Sequence, residues 1–305
     1  MRNAFFDALC EIAVHDEQVI LLYADTGALV LDEFRKEHAD RCINMGISEQ
    51  NMIGIASGLA MNKKIVYIYA IVPFVMMRSF EQIRIDVCYQ NLPVKVVGIG
   101  AGVDYSTLGP THHALEDIAL MRSLPGMTIL SPSDDVMAAA CAKMTYEIPG
   151  PVYIRLDRTG EPLVYKNGAA FSDGLSLLSH GRDLCLIGTG RMVHMAQQVA
   201  GELTKHSIDA GVIDLYRIKP LNKEGLLKAI GDSRYVATLE EHNVIGGIGS
   251  AVAELLAESG KTCGFKRLGL PDKFCQHYGT REYLLSQSNL SMSQVTDTLS
   301  KWIIE

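Results

Sequence analysis

Five short apolar runs pace the first half of this chain: VILLYAD (19–25), IVYIYA (65–70), VKVVGIG (94–100), MTILSP (127–132) and VYIRLD (152–157). Each is too short for an ordinary helix and nearly unbroken in apolar residues. That is how a strand buried on both faces reads. Helical patterns separate the runs. In QNMIGIASGLA, Met52, Ile53, Ile55, Ala56, Leu59 and Ala60 share one broad face. Gly54 and Gly58, four apart, predict that this helix packs closely on a neighbour. SFEQIRIDVCYQ (79–90) and ALEDIALMRSL (114–124) predict two more helices. Strands alternating with helices give a mostly parallel sheet covered on both faces.

Residues 159–182, TGEPLVYKNGAAFSDGLSLLSHGR, break this rhythm with glycine, proline and polar residues, so the domain boundary is placed there. A second series follows: strands at 183–190, 210–218 and 234–242, helices over 192–205 and 221–230, and a last helix after the turn GGIG. The expected fold is two doubly wound three-layer α/β domains, at 1–165 and 180–305. At 305 residues, two domains also suit the length. No internal repeat or low-complexity tract interrupts either series.

Composition excludes several classes of partner. Charged residues make up 21% of the chain and the formal net charge is -7, against the basic surface that nucleic acid or anionic membrane requires. No apolar run approaches the roughly 18 residues of a membrane span. The N-terminus, MRNAFFDALCEIAVHDEQ, has a helical period and carries acids, unlike a signal peptide. The seven cysteines are scattered and form no CxxC pair. They predict reduced thiols in a cytoplasmic protein, not a zinc or redox site.

Several residues could carry chemistry, each beside a plainer role. Gly188, Thr189 and Gly190 make a strand-to-helix turn that reads as a tight turn before it reads as an anion site, because GTGRMV is not GxGxxG. Gly246, Gly247 and Gly249 likewise read first as a turn, and a nicotinamide enzyme is disfavoured. His112 and His113, in LGPTHHALED, follow a strand, where α/β sheets bind ligands. A surface turn whose helix Thr111 caps is an equal alternative. Asp25 ends the first strand and is either a ligand residue or a turn cap. Arg155 and Arg158 could hold a phosphate or carboxylate, or pair with Asp157 or a neighbouring acid. Glu49 opens a helix, where a carboxylate meets the positive end of the helix dipole.

In this order, NMGISEQNMIGIASGLA, the FEQIR helix, LGPTHHALEDIALMRSLPGM, ILSPSD and VIDLYRIKPL resemble the C-terminal half of transketolase and the matching part of deoxyxylulose-phosphate synthase. The resemblance spans essentially the whole chain. It implies a thiamine-diphosphate pyrimidine-binding domain followed by a transketolase C-terminal domain.

It also implies roles. Glu49 takes the place of the family's cofactor-activating glutamate, whose carboxyl shares a proton with N1′ of the aminopyrimidine. Proton sharing wants a dry wall that raises the acid's pKa, and Ile47, Met52 and Phe74 are expected to supply it. Phe74 matches an aromatic position over the pyrimidine; Ile71 falls at the other stacking position. Asp25 matches a residue near cofactor and donor. His112 matches the histidine that contacts substrate oxygen, and His113 replaces the usual glutamine. Arg2 and Arg158 match arginines that bind sugar phosphate.

Three polar positions of sugar-phosphate transketolases fall near Gly100, Leu108 and Leu29, where the polar group is lost. Ordinary pentose-phosphate substrates are therefore in doubt. The GDG…N motif that holds diphosphate and Mg²⁺ is absent, and the chain begins where the pyrimidine-binding domain begins. The resemblance thus implies a separate N-terminal subunit of about 250 to 300 residues and a heterotetramer with sites between chains. The leading function is two-carbon ketol transfer between sugars as the C-terminal subunit of a split transketolase. Alternatives are a subunit acting on a 2-oxoacid, like deoxyxylulose-phosphate synthase or a 2-oxoacid dehydrogenase beta chain, and a non-catalytic scaffold.

Overall fold

The computed structural model describes residues 1–26, 28–158 and 160–304. Thr159 and Glu305, the first residue of the expected linker and the last of the expected second domain, lie outside them. The five apolar runs form β1 (Val19–Tyr23), β3 (Ile65–Ile71), β4 (Val94–Ile99), β5 (Thr128–Leu130) and β6 (Val152–Leu156). With the short β2 (Cys42–Asn44) they make a parallel sheet in the order β5-β6-β4-β3-β1-β2. β1, β4 and β6 are buried along their whole length. Two apolar clusters cover the sheet. One packs Met52, Ile53 and Ala56 against Leu22 and Ile68; the other packs Phe5, Phe6 and Leu9 against Leu21 and Tyr67.

The second sheet contains β7 (Ser176–Ser179), β8 (Leu184–Gly188), β9 (Ala210–Asp214), β11 (Tyr235–Asn243) and β12 (Gly264–Leu270), in the order β12-β11-β8-β9-β7. Only β7 runs antiparallel, against β9. The strand expected over 210–218 is in fact two. After β9 the chain crosses to the first sheet, where β10 (Arg217–Lys219) pairs antiparallel with β5. Backbone bonding dictates the break: Leu215 N–H donates to Gly188 of the second sheet, and Tyr216 C=O accepts from Ser131 of the first.

Three other expectations change. The helix expected over 114–124 spans Asp117–Ser123, because Ala114 N–H donates to Gly102 C=O at 2.8 Å instead of entering a helix. Thr111 caps no helix; its hydroxyl meets His112 Nδ1 at 2.9 Å. The helix expected over 79–90 begins at Phe80 and is wound as a π-helix from Ile83 to Tyr89. That wider winding keeps Ile83, Val87 and Cys88 together on the buried side. Finally, Gly54 and Gly58 face outward in the helix Glu49–Met61, and a Cβ at either would meet nothing within 4 Å. The expected close packing is not made within this chain.

Candidate functional site

The first sheet brings its loops out side by side. Tyr23 pairs with Asn44 and Tyr69, and Ile71 with Ile99, which pairs in turn with Leu156. Asp25, Gly46 to Glu49, Phe74, the loop 100–113 and Arg158 therefore leave one edge, the carboxyl end of a parallel sheet. β1 lies between β2 and β3, so the chain reverses its progress across the sheet at that point.

Local turns aim Glu49. Asp25 accepts from Asn44 Nδ2 at 2.9 Å, and Asn44 Oδ1 accepts from Gly46 N–H at 2.9 Å. Gly46 has φ +71°, a left-handed conformation that favours glycine. Ser48 donates its hydroxyl back to Met45 C=O at 2.6 Å and does not cap the helix with its side chain. Glu49 thus opens the helix buried, only 3% exposed, with Arg78 Nη1 at 3.2 Å from Oε2.

From Glu49 a chain of contacts crosses the edge. The Arg78 guanidinium lies 5.4 Å from the Phe74 ring centre. Phe74 and His112 meet edge to face at 5.0 Å, and His112 and Tyr105 at 5.8 Å. Arg158 then lies over the Tyr105 ring at 4.6 Å. Arg2 joins from the first helical turn: it and Arg158 both act on the Tyr69 and Tyr105 phenols. Burial raises the Tyr69 pKa to about 12, with Arg2 and Arg158 working against the rise. Arg2 Nε is buried without a hydrogen-bond partner, so the two cations leave donor capacity for an anion.

Not every expected residue reaches this opening. His113 is 3% exposed, beneath the loop. Burial lowers its pKa, while the Ser106 backbone and Glu241 oppose the change; it supports the loop from inside and does not face substrate. Ile47 is 79% exposed and so closes no dry wall over Glu49 within this chain. Met52 is fully buried, and Phe74 and Ile71 are half-buried at the edge. Leu29 and Leu108 are 85% and 47% exposed. At Gly100 the lost polar group has a replacement. With φ +90°, a Cβ there would fall 2.2 Å from the Tyr105 ring, which fills the space.

Arg155 resolves as structural. It is 3% exposed, its Nε donates to Asp117 at 2.8 Å, and Nη2 donates to the carbonyls of Ala114 and Glu241 at 3.1 and 2.9 Å. Sequence reasoning missed the wider network to which it belongs. Glu241, on β11, accepts Val103 N–H at 2.8 Å and pairs with Arg281. Although buried, it is held below the usual carboxylate range by Arg281. Asp104 accepts Arg158 N–H at 2.8 Å and faces Arg191 at 3.5 Å. Burial pushes Asp157 up to about 7, helped by repulsion from Asp104 and Glu241. The second domain thereby grips the loop carrying Tyr105 and His112.

Elsewhere, Cys10, Glu37 and His38 converge with a spacing that could suit a metal. Arg41 Nη2 donates to His38 Nδ1 at 2.8 Å, which puts the neutral ring's proton on Nε2 and leaves no ligating nitrogen. The Cys10 thiol is pushed up to about 12, chiefly by burial and by its bond to Glu37. This cluster is a structural contact.

Residues 1–161 match the family described as transketolase, pyrimidine binding domain, and residues 174–293 match transketolase, C-terminal domain. This chain belongs to the transketolase family. One of the two subunits of an apulose-4-phosphate transketolase from Phocaeicola vulgatus is 36% identical over 284 residues, 92% of this chain and 90% of that protein. A 6-deoxy-6-sulfo-D-fructose transketolase subunit from Clostridium sp. strain MSTE9 is 34% identical over 297 residues, 97% and 92% of the two chains. A solved split-gene transketolase, described as an inactive beta4 tetramer, superposes with a TM-score of 0.90 at 36% identity, covering 98% of this chain and 97% of that one. Over its whole length this transketolase chain corresponds to the C-terminal subunit of a split enzyme.

The family is one of thiamine-diphosphate enzymes, and the edge suits the cofactor's pyrimidine. It offers a buried carboxylate, a half-buried aromatic face beside it and a histidine one ring contact away. Two site residues had weak signals in the sequence. Arg78 stands four residues after Phe74, and Tyr105 lies between Gly100 and Gly109. Neither spacing names the partner that each side chain finds.

Proposed function

We propose that this transketolase subunit forms the pyrimidine half of a thiamine-diphosphate site and transfers a two-carbon ketol unit between sugars once joined to an N-terminal subunit. The observation that carries the reading is the buried Glu49 at the sheet's ligand edge, with Phe74 and His112 beside it. When bound, thiamine diphosphate supplies the nucleophilic carbon that attacks a ketose carbonyl. Glu49 would hold and return a proton at N1′ of the pyrimidine. Phe74 and Ile71 would pack on the ring, and Asp25 would lie near cofactor and donor. His112 would donate to a donor oxygen. Arg2 and Arg158 would hold the anionic end of the sugar, with Arg2's unpaired Nε supporting that role.

The diphosphate and Mg²⁺ are assigned to the partner subunit, in a heterotetramer. The exposed Ile47, Leu29 and Leu108 suit a site whose remaining wall comes from another chain. The relatives named for apulose 4-phosphate and 6-deoxy-6-sulfofructose support a sugar bearing phosphate or sulfonate but differing from the common pentose phosphates. The lost polar groups at Leu29, Gly100 and Leu108 fit such a change. Among the described residues no helix is long and apolar enough to cross a membrane. All seven cysteines are unpaired, which supports a reducing, cytoplasmic setting. The division between the two domains is placed within residues 166–179.

The test is co-purification with the product of the adjacent reading frame, followed by calorimetric titration of thiamine diphosphate with Mg²⁺ and a donor screen. Binding by the pair and not by this chain alone is expected, with ketol transfer and no carbon dioxide released from pyruvate. Tight magnesium-dependent binding by this chain alone would overturn the split site, and pyruvate decarboxylation would favour the 2-oxoacid alternative.

A further inference from the structure

Arg78 lies where a cofactor ring would lie. Its guanidinium donates to the Glu49 carboxylate at 3.2 Å and stands over Phe74 at 5.4 Å. A guanidinium is flat, carries N–H donors in its plane and stacks on aromatic faces. An aminopyrimidine between the same acid and the same ring would use the same two features. The plainer reading, a surface ion pair, suits only one partner: Arg78 is 52% exposed, but Glu49 is 3% exposed. A buried carboxylate without a cation or donor is costly, so Arg78 discharges an acid that otherwise waits for its ligand. The contact also opposes the acid's work, because an adjacent cation favours the ionised form over proton sharing.

We propose that Arg78 is an internal stand-in for the aminopyrimidine, holding Glu49 and Phe74 in the free subunit and swinging out when the cofactor seats. The inference rests on the assignment of Glu49 as the cofactor acid. Arg78 is placed to move. It sits in the turn between the short helices Val72–Met76 and Phe80–Gln82, with half its side chain in solvent. Its backbone carbonyl is tied to Gln50 Nε2 at 3.2 Å, which anchors the turn and leaves the guanidinium free to rotate.

The test uses the full chain and the neutral probe 4-amino-5-hydroxymethyl-2-methylpyrimidine, titrated by ligand-observed NMR in mildly alkaline buffer. Arg78→Met and Arg78→Gln should bind it about fivefold to tenfold more tightly than the unaltered chain, the scale of a half-exposed ion pair plus a cation–π contact. Raising salt should tighten binding by the unaltered chain and leave both variants unmoved, since the probe is uncharged and only the plug is screened. Equal or weaker binding by both variants, with Glu49→Gln still weakening the probe, would overturn the stand-in and keep the cofactor site. Binding indifferent to Glu49→Gln would remove the cofactor assignment and the stand-in with it. No binding by any of the chains would also overturn the stand-in, because clearing the guanidinium would have opened nothing.

Discussion

At Glu49 the useful substitution is the smallest one. Glu49→Gln keeps the volume and an oxygen for Arg78 Nη1, but cannot exchange a proton. In the assembled enzyme it should lower kcat by about 10²- to 10⁴-fold, the range for a lost acid–base group, with little change in thermal midpoint. A steady-state assay beside a melting curve separates the two effects; a variant with unaltered turnover would remove Glu49 from the chemistry. Arg158 predicts a different signature. It is exposed, and its guanidinium is held by the Tyr105 face at 4.6 Å while its backbone is fixed by Asp104. Arg158→Met should raise KM for a phosphorylated or sulfonated sugar by about tenfold to a hundredfold, the scale of a charge-assisted hydrogen bond, and leave kcat for an uncharged analogue near its original value. An equal loss on charged and uncharged substrates would mean that Arg158 holds the loop and not the anion.

Among the elements, the loop between β4 and the helix Asp117–Ser123 is the most tightly specified. Gly100→Ala there would force a left-handed alanine and drive its Cβ to 2.2 Å from Tyr105. The expected cost is about 2 kcal/mol, read from urea midpoints. Gly100→Ala combined with Tyr105→Ala should recover only the steric part; full recovery would mean that the backbone conformation costs nothing. The sequence made some of this legible. β1, β4 and β6 are buried from end to end, so their apolar runs reported them directly. Glu49, Phe74 and His112 were found because family motifs mark them. What stayed hidden was decided by distant partners. The run AGVIDLYRI looks continuous, yet Gly188 and Ser131 draw its residues to different sheets. β2 and β7 are short edge strands with exposed residues, so no apolar run announced them. Arg78 and Glu241 act across 29 and 138 residues of chain, where no local pattern reaches.

At the scale of the molecule, one carboxyl gathers three parts. Asp214, at the end of β9, accepts from Ser133 Oγ of the first domain at 2.6 Å and from Tyr165 of the linker at 2.8 Å. It is fully buried, and its other oxygen has no hydrogen-bond partner. Burial pushes its pKa from 3.8 up to about 7, although the two hydroxyls oppose the shift. The native state therefore binds the proton more tightly than the unfolded chain does. Between pH 3.8 and about 7 this group makes stability fall as pH rises, and above about 7 the cost is fully present. His242 works with the opposite sign. Burial lowers its pKa from 6.5 to about 4, so its contribution is lost as pH falls through that window. A raw stability curve mixes the two, and the difference between the unaltered chain and Asp214→Asn isolates the carboxyl. The asparagine cannot ionise, and its amide can present a donor where the second carboxyl oxygen lacks a partner. Urea midpoints at about pH 5 and about pH 8 should then show the variant gaining on the unaltered chain as pH rises. A difference independent of pH would mean that Asp214 is already ionised in the folded protein and that its two hydroxyl donors offset its burial.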